Sequence, residues 1–257
     1  MSRSCGKAAL MSSLLLVALL PLSTASADRV RVEFYGEALC PYCIKFTLTQ
    51  LSSIFENGLA EIVELEYIPA GNARLSDDGA IACQHGQNEC DLNRAIACGL
   101  AQAPDQADWF PFLHCLEAKA DEGDKDVDVS AVVHACAPRG GLVPSRVMDC
   151  YSGPMGDFLQ RRAVERTASL NPEHKWVPWV VVNGIPLFDD FENVETFICA
   201  AYGGYPKPKY CLRPPPPDPS LRAGVTRAGE GAGAVVAPRA AVAAAAADRA
   251  GPAVQTS

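Results

Sequence analysis

Cys40-Pro41-Tyr42-Cys43 places two thiols between an apolar run, Val30 to Gly36, and a stretch with apolar residues at helical spacing, Ile44 to Asn57. A second strand candidate, Ile62 to Ile68, follows with partial alternation. The spacing therefore predicts a βαβ unit with the dithiol at its first strand-to-helix junction. That junction constrains both fold and chemistry. A helix N-terminus carries unpaired N–H groups and the positive end of the peptide dipoles, and both favour a thiolate over a thiol.

The first 27 residues hold Arg3 and Lys7, then the apolar Ala8 to Leu20, then Ala25-Ser26-Ala27. This is the three-part pattern of a cleaved secretory signal peptide, and the apolar run falls short of the roughly 20 residues of a bilayer span. The mature chain is expected to begin near Asp28, with no membrane span left after cleavage. Of eleven cysteines, Cys5 lies in the leader and ten remain, an even number as an exported disulfide protein should have. Setting Cys40 and Cys43 aside as a redox couple leaves eight for up to four bridges, whose pairing the sequence does not disclose. A net charge of −8 argues against a nucleic-acid partner. No Asn-x-Ser/Thr sequon occurs.

Residues 212–257 change character: Pro214 to Pro217 and Ala243 to Ala247 run together, with no aromatic residue and no cysteine. Such a segment cannot bury a core and is expected to be a disordered Pro/Ala/Gly-rich tail or a removable propeptide. The folded part is expected over 28–211, as one α/β domain with a helical insertion over about 83–170 that holds six cysteines and no convincing strand. Met155 to Ala168 has the pattern of an amphipathic helix leading back to the sheet. Asn183-Gly184, between Trp179 to Val182 and Ile185 to Phe188, is a strong hairpin signal, followed by a helix from about Phe191 to Ala201.

The C-x-x-C spacing lets one helical turn bring two sulfurs within bonding distance. Cys40, the N-terminal and more exposed thiol, is expected to attack, and Cys43 to resolve the mixed disulfide. Pro41 costs no hydrogen bond at a helix start. Zinc would want a second pair at similar spacing, and there is none, so neither a metal nor another cofactor is expected. A purely structural disulfide is the plainer alternative. The order C-x-x-C, then Trp176-Val177-Pro178-Trp179, then a hairpin resembles that of thioredoxin-like folds, in which a cis proline packs against the active-site disulfide and exposes a backbone edge to substrate. Pro178, with Val177, stands in that place.

The densest motif runs from Cys83 to Cys98: Cys83, Gln84, His85, Gly86, Glu89, Cys90, Asn93 and Cys98 in the pattern C-Q-H-G-x-x-E-C-x-x-N-x-x-x-x-C. It resembles, position for position, the signature of the gamma-interferon-inducible lysosomal thiol reductase (GILT) family. The resemblance extends over residues 30–211 and leaves out the tail. It implies a thioredoxin-like domain that reduces disulfides of protein substrates with Cys40 and Cys43 as the catalytic pair, regenerated by a small thiol or a thioredoxin-type reductant. The remaining signature residues are expected to be structural. His85 attracts attention because imidazole titrates near endosomal pH, but a place in a disulfide-bounded turn with Gly86 is the favoured reading. Glu33 on the first strand is an alternative buried acid for the resolving thiol, with a solvated strand carboxylate at least as fitting. His114, His134 and His174 show no ligand spacing.

The resulting expectation is an exported thiol–disulfide oxidoreductase of the secretory pathway, ending in a lysosome, a vacuole or the exterior. Lack of sequons weakens lysosomal sorting by glycan. A secretory-pathway isomerase or oxidase would use the same two cysteines in the opposite direction, and a stapled binding module would hold them inert.

Overall fold

Alternation along β1, Val30–Gly36, decides what each face of the sheet meets: Val30, Val32 and Phe34 pack into one core, while Tyr35 points into another. The computed structural model describes residues 29–121 and 127–213. The expected leader, residues 1–27, and nearly all of the expected tail lie outside the described residues.

From β1 the chain passes through a short loop into α1, Pro41–Phe46, a π-helical turn, Thr47–Leu51, and α2, Ser52–Glu56. It returns along β2, Val63–Pro69, which pairs parallel to β1 with Val63 opposite Val30. The expected βαβ unit is present, its helix carrying a π turn at mid-length and Ile62 falling in a 3-10 turn rather than the strand. A small hairpin follows, β3 (Arg74–Leu75) with β4 (Ile81–Ala82), too short to announce itself by periodicity.

The insertion is helical: α3 (Gln87–Gln102), α4 (Gln106–Asp121), α5 (Val129–Cys136), α6 (Pro144–Ser152) and α7 (Pro154–Ala168). The sheet resumes with β5 (Trp179–Val182), antiparallel to β1 with Tyr35 opposite Trp179, and β6 (Ile185–Pro186), giving the order β2-β1-β5-β6. β6 stops earlier than the expected Ile185 to Phe188. Leu187 N–H still bonds Val180 O at 2.9 Å, and Phe188 then turns the chain away with φ +50. For the same reason the last helix, α8 (Val194–Ala201), starts after a 3-10 turn over Phe188–Asn193.

One face of the sheet packs Phe34, Phe46, Tyr67, Cys40 and Cys43 with apolar side chains of α3, α4 and α8. The other packs Tyr35, Ile68, Trp179 and Val181 against Ala163 and Val164 of α7. Burial at about 25 cal/mol per Å² of apolar surface makes these two layers the main stabilising term. The outer side of β2 meets a side chain instead of a strand. Gln106 accepts from the Leu65 N–H at 2.7 Å and donates to the Val63 and Ala60 carbonyls, both at 2.9 Å.

The eight other cysteines among the described residues pair as Cys83–Cys90, Cys98–Cys150, Cys115–Cys136 and Cys199–Cys211. Cys98–Cys150 ties α3 to α6, and Cys115–Cys136 ties α4 to α5. These bonds staple the insertion to itself.

Candidate active site

β1 ends at Gly36, and four residues, Glu37 to Cys40, carry the chain into α1. Leu39 takes the left-handed conformation, φ +65, a strained geometry for a branched residue. It aims Cys40 into the N-cap position of α1, with Pro41 as the first helical residue and Ile44 N–H closing on Cys40 O at 2.9 Å. Both thiols are free. Cys40 is 6% exposed and Cys43 is sealed, the order expected from the sequence.

The two sulfurs are unequal acids. The Cys43 thiol donates to Cys40, and backbone N–H groups of Cys43 and Tyr42 add to it, holding Cys40 below the ordinary thiol value although burial and Glu37 push the other way. Burial, reinforced by the hydrogen bond it gives to Cys40, pushes Cys43 well up. Tyr42 between them is 70% exposed.

Val177-Pro178 is a cis peptide. Because Trp179 pairs with Tyr35, this peptide reaches the sheet at the end from which the Glu37–Cys40 loop leaves. Val177 is buried in the core that contains both thiols.

The signature residues gather around the same loop. Asn93 on α3 accepts from the Ala38 N–H at 2.9 Å and donates to Glu89, and Glu89 accepts from the His85 N–H at 2.6 Å. Gln84 accepts from the Asn72 side chain at 2.6 Å. Gly86 precedes α3 with φ +86 and ψ −167, a conformation open essentially to glycine alone. Cys83–Cys90 closes the turn that holds His85, and Cys98 anchors the far part of α3.

Sequence reasoning missed Glu37. Its carboxylate is fully buried, accepts from Asn72 N–H at 2.6 Å and faces His85 Nε2 at 3.4 Å. Burial pushes its pKa up, against the pull of Asn72 and His85. Gly71 makes room for it, since a Cβ there would stand 2.2 Å from Glu37 Oε2. The signal was visible as the one charged residue between an apolar strand and the C-x-x-C. Glu117 of α4 was also missed: it is buried beside the Tyr67 hydroxyl, and burial, then Cys40, pushes it up to about 8. Glu89 is likewise pushed up to about 8, by burial and then by Glu37.

Glu33 is not the buried acid of the resolving thiol. Strand alternation turns it to the opposite face from Phe34 and the thiols, where Arg166 and Arg31 pair with it. His134 bonds its own helix at Ser130 O, and His114 packs edge-on against Phe110. Glu37, Cys40 and His85 each offer one donor atom, all within 4.8 Å of one another. Closed structural zinc takes four ligands, and the Glu37 oxygens are already engaged by Asn72 and His85, so the trio suits proton handling better than a structural metal.

A family model described as "Gamma interferon inducible lysosomal thiol reductase (GILT)" matches residues 31–139. A gamma-interferon-responsive lysosomal thiol protein of Arabidopsis thaliana is 34% identical over 194 residues, covering 74% of this chain and 78% of the relative. The gamma-interferon-inducible lysosomal thiol reductase of Mus musculus is 32% identical over 185 residues, covering 71% of each. Oxidised DsbA of Mycobacterium tuberculosis superposes with a TM-score of 0.51 at 19% identity, over 75% of this chain and 93% of that one, a likeness of thioredoxin-type fold.

Proposed function

The chain belongs to the gamma-interferon-inducible lysosomal thiol reductase family and is a thiol–disulfide oxidoreductase, and from that premise we propose that Cys40 and Cys43 are the dithiol that reduces protein disulfides. The carrying observation is the inequality of the two sulfurs: one poised as a thiolate at a helix start, the other dry and donating to it. Cys40 attacks a substrate sulfur. Cys43 then displaces the second substrate sulfur and leaves a Cys40–Cys43 disulfide, which a small thiol or a thioredoxin-type protein reduces again.

The Val177-Pro178 peptide presents its backbone to an extended substrate segment beside Cys40, supported by its place at the end of β1. Cys83, Gln84, Gly86, Glu89, Cys90, Asn93 and Cys98 serve to hold the loop that carries Cys40. Residues 28–211 form the functional domain, 1–27 direct it into the secretory pathway, and 212–257 are dispensable for reduction. We place its work in a lysosome or vacuole, or outside the cell. Four structural bridges suit that route, and no helix among the described residues is long and apolar enough to cross a membrane.

The test is insulin-disulfide reduction by wild type, Cys40→Ser and Cys43→Ser at about pH 5 and about pH 7. Cys40→Ser should be inactive, and Cys43→Ser should accumulate a covalent complex with substrate. An active Cys40→Ser protein would refute the assignment.

A further inference from the structure

The bonds of the signature converge on His85 and on the loop that leads to Cys40. Gln84 holds Asn72, Asn72 holds Glu37, and Glu37 faces His85 Nε2 at 3.4 Å. From the other side Glu89 fixes the His85 backbone, while Asn93 links Glu89 to Ala38. The Cys83–Cys90 bridge closes the turn on which His85 stands. A ring nitrogen of His85, an oxygen of Glu37 and Cys40 Sγ consequently lie within 4.8 Å of one another. The His85 side chain is 29% exposed and that of Glu37 is 1% exposed. The imidazole thus sits between a dry carboxylate and solvent, beside the sulfur that must meet substrate.

We propose that His85, oriented by Glu37, is the acid–base group of the exchange reaction, and that the signature exists to hold it there. The proposal rests on Cys40 being the attacking thiol. As the Cys40 thiolate attacks, the Cys40–substrate S–S bond forms and the substrate S–S bond breaks. The expelled sulfur leaves with the electron pair of that bond and takes the proton of the His85 imidazolium, giving a free thiol and neutral imidazole. In the second half the Cys43 sulfur bonds to Cys40 as the Cys40–substrate S–S bond breaks, and the Cys43 proton passes to the departing substrate sulfur, which leaves as a thiol, so two electrons have passed from the dithiol to the substrate disulfide.

Chemistry gives a reason for such a group. An ordinary alkyl thiol has a pKa of about 8.5, so its anion is a poor leaving group in acid, and protonation during departure removes that penalty. Positioned general acids contribute roughly 10²- to 10⁴-fold. The other titratable groups around this centre are Glu37 on the loop, Glu89 on α3, Cys43 on α1, and Glu117 of α4 and Tyr67 of β2, which both interact with Cys40.

Leaving-group dependence tests the idea. Reduced full-length wild type, His85→Gln and Glu37→Gln are mixed at about pH 5, under single turnover, with insulin and separately with dithiobis-nitrobenzoate. Insulin expels an alkyl thiol that needs a proton. The aromatic disulfide expels a stable anion that does not. His85→Gln should slow insulin reduction by about 10- to 100-fold and the aromatic disulfide by less than about threefold, with a smaller loss of the same selectivity in Glu37→Gln. His85→Ala, whose cavity opens to solvent, should regain part of the insulin rate with added imidazole. Equal slowing of both disulfides, or no slowing of either, would overturn the proposal. An inactive Cys40→Ser protein would stand in either case, which separates this test from that of the nucleophile.

Discussion

Asn93 Oδ1 accepts the Ala38 N–H at 2.9 Å, so an insertion helix is bonded directly to the loop that leads to Cys40. The same side chain donates to Glu89. Asn93→Ala would strand a buried N–H and release the carboxylate, at a cost of about 1–3 kcal/mol. We expect a lower melting temperature together with slower insulin reduction, read by thermal unfolding and turnover on the same preparation. Full activity at reduced stability would mean that the tie holds the fold only.

Thiol selectivity should follow from burial. Iodoacetamide in limited amount, at about neutral pH, should add once, at Cys40, with Cys43 alkylated only after unfolding. The rate should rise with a midpoint below the ordinary thiol value of about 8.5. Glu37 opposes ionisation of Cys40, so Glu37→Gln should move that midpoint further down. Peptide mapping of the adduct and a pH series of rates measure both.

Much of this site was readable from residues, and the unread part has a physical cause. Local patterns exposed the strand, the helix start, Pro178 and the hairpin, because each is set by neighbours a few positions apart. Glu37, Asn72 and Gly71 act across 35 and 34 residues of chain, through a contact that exists only once β2 lies beside β1. The neighbour of His85 was hidden for a similar reason: a turn bounded by two cysteines gives no sign that Glu37 stands opposite its ring. For Glu33 the sequence left two readings open, and alternation sends it to the Arg166 face, away from the thiols. Cysteine pairing depends on how the five insertion helices pack, which no local spacing encodes.

Two buried carboxyls should make stability fall between mild acid and about pH 8. Glu117 and Glu89 keep protons in the folded protein up to about pH 8, whereas an unfolded glutamate releases its proton near 4.3. Between those values these two groups bind more protons in the native state, so their contribution to stability is full below about pH 4 and falls as pH rises toward 8. Melting temperatures measured at pH steps across that window, on protein oxidised at Cys40 and Cys43 to silence the thiols, should decline steadily. Glu117→Gln should flatten the decline while leaving the acid end nearly unchanged. A flat wild-type profile would contradict the assignment.

The bridges should rank by the chain they enclose. Cys98–Cys150 spans 52 residues and Cys199–Cys211 spans 12, for which loop-closure entropy gives about 4 and about 3 kcal/mol respectively. Replacing both cysteines of the first pair by alanine should lower the urea midpoint more than the same change in the second. The opposite order would point to packing in the last turn as the larger effect.

Gln106 and Pro186 also bear on how this protein survives its own products. Opening disulfides releases loosened chains next to a β-sheet, and a bare strand would recruit them into hydrogen-bonded stacks. On one border the Gln106 amide occupies the Val63 carbonyl and the Leu65 N–H as a neighbouring strand would, and on the other β6 is two residues long and ends in a proline without an N–H. Both borders are thereby blunted against co-aggregation, and a client that has been loosened can diffuse away.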